Sequence, residues 1–129
     1  MRTRPRARRT RSGLGRPRKH IRAIRKSGEM EFDREWIVPF EREDARILVR
    51  HGGRPVTHYA AMLQILRDGR WHTIRLIDNA HDAHHMHRYA GDVKQDAVSF
   101  ASGDAREVLP KAVAYLVRAS NSIIESWRP

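Results

Sequence analysis

The chain has 129 residues, room for one domain and not two. It carries 26 Lys and Arg against 15 Asp and Glu, a net charge of +11, and it has no cysteine. That excludes a disulfide framework, a Cys-ligated zinc site, an iron–sulfur cluster and a thiol nucleophile. No apolar run approaches the roughly 20 residues of a membrane span. The positive N-terminus is not followed by a hydrophobic stretch, so it does not read as a secretory signal. The expectation is a cytoplasmic protein with no membrane partner.

The charge is concentrated. Residues 1–28 hold twelve Lys/Arg and no acid, whereas 29–129 hold fourteen basic and fifteen acidic residues, a balance of −1. The expected organisation is a disordered Arg-rich tail over 1–28 and a single α+β domain over 29–129. Besides Met1, the tail's large apolar side chains are Leu14, Ile21 and Ile24, too few to offset the entropy of ordering. Arg8, Arg9, Arg11, Arg16, Arg18 and Lys19 are its candidate phosphate contacts. Each would release counterions, so binding to RNA or another nucleic acid would be steeply salt-dependent. No aromatic residue stands between these arginines to stack on a base. A start codon at Met30 is the competing reading of the tail.

Within the body, 29–43 holds a short helix or strand before Pro39. Residues 44–50 alternate, with Ile47 and Val49 on one face. A turn at 51–55 leads to an apolar strand over 56–66 and then Asp68–Gly69, the strongest short hairpin signal. The return strand is 71–79. An unbroken register about this turn opposes Ile65 to His72, Leu63 to Ile74, Ala61 to Leu76 and Tyr59 to Asp78. It places His58, Gln64, Thr73 and Arg75 on the other face. An extended segment is expected over 84–89 and a short strand over 97–100. Asp104 and Glu107 have helix-capping spacing, and Pro110 then implies a kink or a helix start near Lys111. Leu109, Val113, Leu116, Val117, Ser120, Ile123, Ile124 and Trp127 form a helical apolar stripe. The expected fold is a small antiparallel β-meander of three to five strands packed by a long C-terminal amphipathic helix.

Four of the eight histidines fall between His81 and His87, directly after the strand that ends near Asp78–Asn79. Strand-end loops are where rigid scaffolds present chemistry. One reading is acid–base cleavage of RNA without metal or cofactor. Two imidazoles would exchange protons with the 2′-hydroxyl and the leaving oxygen, and cations would hold the phosphate. Candidate catalytic residues are Asp78, His81, His84, His85, His87 and Tyr89. In an extended segment His85 and His87 share a face, and Asp78 can orient an imidazole. Arg75 and Arg88 are candidate phosphate clamps. A second reading is a His/carboxylate metal site, with permissive spacing that matches no named zinc motif. The third is a solvated turn in which single histidines cap or satisfy backbone groups. Tyr59 and Trp71 read as packing residues and Met62 and Met86 as gap fillers. A non-catalytic nucleic-acid-binding protein acting through its tail remains a separate alternative.

The order Asp78–Asn79, His81, then His84, His85, His87 and Tyr89, then Phe100 and a helix from about Asp104 resembles the TumE-type toxins of bacterial toxin–antitoxin modules. The resemblance covers roughly residues 44–127; the basic tail and 29–43 depart from it. Other small bacterial families share a similar Asp-x-Ala-His…His pattern. The resemblance implies a toxin that acts on RNA, is held inactive by a DNA-binding antitoxin protein, and has its active centre between Asp78 and Tyr89. It leaves open whether the toxin is a homodimer.

Overall fold

The computed structural model describes residues 31–129. The tail contacts expected at Arg8, Arg9, Arg11, Arg16, Arg18 and Lys19 lie outside the described residues. Six strands follow in chain order: β1 Arg34–Val38, β2 Ala45–Gly52, β3 His58–Arg67, β4 Arg70–Asp78, β5 His84–Ala90 and β6 Val93–Ala101. They form one antiparallel sheet in the order β1-β2-β3-β4-β5-β6, closed off by helix α1 Ala105–Ser126. The architecture is therefore α+β as expected, with six strands instead of three to five. The sixth strand is β1, in the segment expected to hold a short helix or strand, and β6 extends the expected 97–100 strand back to Val93.

The β3–β4 hairpin turns at Asp68 and Gly69, with φ of 56° and 76°. Two consecutive left-handed residues are what a two-residue turn of this hand requires. Pairing follows the expected register through Arg67↔Arg70, Leu66↔Trp71, Ile65↔His72 and Gln64↔Thr73. It then shifts by one residue. Leu63 pairs with Arg75, Met62 with Leu76, Ala61 with Ile77 and Ala60 with Asp78, which makes Ile74 the extra residue of a β-bulge. The correction reverses faces. Ile74 and Arg75 both turn toward the helix, while Leu76 and Asp78 go to the opposite side. The bulge puts Ile74, at 1 % exposure, and Ile77 into the core and brings Asp78 alongside the histidine strand.

The core lies between one sheet face and α1. Ile47, Val49, Tyr59, Ala61, Leu63 and Ile65 from the sheet meet Val108, Leu109, Ala112, Leu116 and Ile123 from the helix. Fully burying an aliphatic side chain contributes about 1.5–3 kcal/mol, so this face dominates stability. The buried stripe differs from the expected one: Val117 is exposed, and Val108 and Ala112 take the inward positions. The helix begins at Ala105, capped by the Asp104 carboxylate accepting from the Glu107 N–H at 3.0 Å, and runs through Pro110 without restarting. Proline there removes the donor that the Arg106 carbonyl would otherwise use, and Arg106 is exposed to solvent.

Candidate functional site

The sheet face turned away from α1 is not covered by any described element. It forms a hollow of about 550 Å³. Phe32, Ala60 and Leu76, with Met62 and Tyr89 against them, make a small apolar floor. Around this floor stand Asp78, His81, His85, His87, Lys94 and Arg50.

Strand alternation explains the grouping. His85 and His87 are two residues apart on β5, so both project to the open face, about 7 Å apart along the strand. β5 pairs with β4 so that His85 is opposite Asp78 and His87 is opposite Leu76. Directly opposed residues bring their Cβ atoms to about 5 Å. Asp78 is buried and is the one carboxylate among the residues lining the hollow. The His87 Nδ1–H donates to the Gln95 carbonyl at 2.9 Å. A carbonyl can only accept, so in the neutral ring Nε2 carries the free lone pair. Tyr89 reaches the hollow past an irregularity in β5–β6 pairing. Burial, reinforced by the Asp78 charge, raises its phenol above the usual range, so it serves as a hydrogen-bond donor. His81 is exposed in the β4–β5 loop at the rim.

His84 is separated from its neighbours. It points to the helix side and is buried, stacked against Tyr59 with ring centroids 5.7 Å apart. The Tyr59 hydroxyl donates to His84 Nδ1 at 2.8 Å, and His84 Nε2–H donates to the Gly103 carbonyl at 2.7 Å. Burial pushes the Tyr59 phenol far up, which keeps it a donor. Both ring nitrogens of His84 are thus committed to tying β5 and β3 to the start of α1. Asn79 ties the end of β4 to the start of β3 in a similar way. Its Oδ1 accepts from the Tyr59 N–H and its Nδ2 donates to the Thr57 carbonyl, each at 3.0 Å. His72, on β4 and outside the cluster, meets Asp92 through Nδ1 at 2.9 Å and packs by Trp127.

Arg75 and Arg88 pair across β4 and β5 but line a separate cleft beside α1. The sheet stands between that cleft and the histidines, so they do not clamp a phosphate held at His85 and His87. Among the described residues, the cations lining the hollow are Lys94, on β6 opposite Tyr89, and Arg50, whose Nε donates to Glu35 Oε2 at 2.9 Å. The sequence reading missed both. Arg50 was legible, since Ile47 and Val49 facing inward place Leu48 and Arg50 outward. Lys94 was not, because the polar run Val93–Asp96 shows no apolar alternation. Beside the hollow, Arg46 lies 4.1 Å over the Trp71 ring and donates to Gln64 Oε1, which is linked through Nε2 to Thr73.

Among the described residues no three His, Asp or Glu side chains converge to hold a metal ion, and the metal-site alternative has no ligand set there. No described helix is long and apolar enough to cross a membrane. In comparison with known proteins, the chain matches no family model, no curated protein and no solved structure.

Proposed function

We propose that this chain is a metal-independent ribonuclease acting as the toxin of a toxin–antitoxin pair, with the open sheet face as its RNA surface. The observation that carries the reading is the placement of His85 and His87 together on one face that no described element covers, with His87 fixed in the tautomer that leaves Nε2 unprotonated. RNA carries its own nucleophile, so cleavage needs only placed proton carriers and positive charge. His87 Nε2 takes the 2′-hydroxyl proton as that oxygen bonds to phosphorus. Protonated His85 gives its proton to the departing 5′ oxygen. The products are a 2′,3′-cyclic phosphate and a 5′-hydroxyl, and the two imidazoles end with exchanged protonation states. Asp78, across from His85, orients that ring. Lys94 and Arg50 offset charge on the phosphate oxygens, and Tyr89 donates to one of them. The tail raises the local concentration of RNA by long-range attraction. An antitoxin inhibits by covering the hollow.

Induced expression tests this reading. Wild type is expected to arrest growth, and His85→Ala/His87→Ala is expected to relieve the arrest while keeping native circular dichroism. A toxic, folded double variant would refute it. The concentration of charge in residues 1–28 favours a second reading, a non-catalytic nucleic-acid binder. That reading predicts RNA binding without cleavage, abolished by deletion of 1–28.

A further inference from the structure

Arg75 is an anomaly in the core. Its exposure is 8 %, and its Nε is buried with no hydrogen-bond partner. One terminal nitrogen reaches the Met86 sulfur, at 3.8 Å. No carboxylate among the described residues pairs with it. Its strand neighbour Arg88 is a second cation, which adds repulsion, and the Tyr115 hydroxyl is its main polar support. Burial and Arg88 accordingly pull the Arg75 guanidinium below its usual range. An arginine does not escape by losing its proton, so an unpaired one in the interior is costly.

The same guanidinium borders a cleft of about 440 Å³ between β4, β5 and α1. Arg88 stands at its edge, Ser122 and Tyr115 bring hydroxyls from the helix, and Tyr89 and Trp127 form aromatic walls. The cleft thus combines two positive charges, several donors and no acid among its lining residues.

We infer that this cleft binds a phosphate monoester, with Arg75 at its base and Arg88 at its mouth. The charge count favours a dianion: a carboxylate or a phosphodiester carries one negative charge and leaves one guanidinium uncompensated. A terminal phosphoryl group has three acceptor oxygens for two guanidiniums and the hydroxyls. Aromatic walls suit a flat organic group beyond the phosphate, so a nucleoside monophosphate and free phosphate are the two sources to separate. The cleft is on the opposite sheet face from His85 and His87, shares only Tyr89 with the hollow, and its assignment does not rest on the histidines' role.

The test is calorimetric titration of the full chain at pH 7.5, at constant ionic strength, with inorganic phosphate, adenosine 5′-monophosphate and the dinucleoside monophosphate ApA. Phosphate and the mononucleotide are expected to bind and to raise the melting temperature, with ApA at least about tenfold weaker than the mononucleotide. Tighter binding of the mononucleotide than of phosphate assigns the aromatic walls to the nucleoside; equal affinity assigns the site to phosphate alone. Arg75→Met and Arg88→Ala should each weaken phosphate binding about tenfold or more. Arg75→Met without ligand should melt no lower than wild type, because it removes an uncompensated charge. Should Arg75→Met fail to fold, Arg88→Ala, at an exposed position, decides. Phosphate binding that is absent in wild type, or unchanged in Arg88→Ala, would overturn the inference; unchanged binding would assign the anion to the tail. ApA binding as tightly as the mononucleotide would overturn the dianion assignment.

Discussion

His84 and His87 are three residues apart and have opposite fates. His84 is enclosed by Tyr59 and Gly103 with both nitrogens used, whereas His87 commits one nitrogen to Gln95 and presents the other to the hollow. Tyr59→Phe removes the donor to a buried ring nitrogen. It should cost about 1–3 kcal/mol in chemical denaturation while leaving RNA cleavage unchanged. A large loss of cleavage in a folded Tyr59→Phe protein would give His84 a part in the chemistry. His51 makes a separate prediction. It packs edge-on to Trp36 with Nδ1 buried and unpaired, and burial, aided by the Arg34 charge, depresses its pKa. The unfolded chain then binds a proton the folded one refuses, so stability falls as pH drops below about 6.5 toward the depressed value, and stays lost below it. His51→Phe should flatten that part of a melting-temperature profile; an unaltered profile would contradict the assignment. The histidine cluster was plain in the sequence, but alternation alone could not say which ring nitrogens meet a carbonyl, because Gln95 and Gly103 lie 8 and 19 residues along the chain from the rings they meet.

At the scale of elements, the hairpin and the helix were the legible parts. Asp68–Gly69 gave the turn, and Asp104 with Glu107 gave the start of α1. Asp104→Ala should therefore cost about 1 kcal/mol, read from the urea midpoint, since it removes the cap from the Glu107 N–H. A change within experimental error would mean that the first turn is held by packing of Ala105 and Val108 instead. The bulge at Ile74 was hidden. An unbroken register also gives apolar faces near the turn, since Ile74 and Leu76 are apolar either way. Only burial against α1 decides that Ile77 goes in and Asp78 goes out. One extra residue thus moved Arg75 away from the histidines and Asp78 toward them. The candidate residues lie close together along the chain, but their division between two faces was not readable.

At the scale of the whole chain, charge is divided unevenly. The body is nearly neutral at −1, and the excess of basic residues lies in 1–28. In the proposed function the tail supplies affinity and the hollow supplies chemistry. Full-chain RNA affinity should fall about 10³-fold or more between 50 and 200 mM salt if six or more phosphates are contacted. Deleting 1–28 should reduce that slope, whereas His85→Ala should leave it unchanged; a slope unaffected by the deletion would place the contacts on the body.

The most direct test is cleavage of a defined single-stranded RNA by the purified full chain in excess EDTA, with end-group analysis. Wild type is predicted to leave 2′,3′-cyclic phosphate and 5′-hydroxyl ends, and His87→Ala and His85→Ala each to slow the reaction about 10²–10⁴-fold. Intact RNA with wild type, or cleavage by both variants at the wild-type rate, would contradict a histidine acid–base centre on the open face.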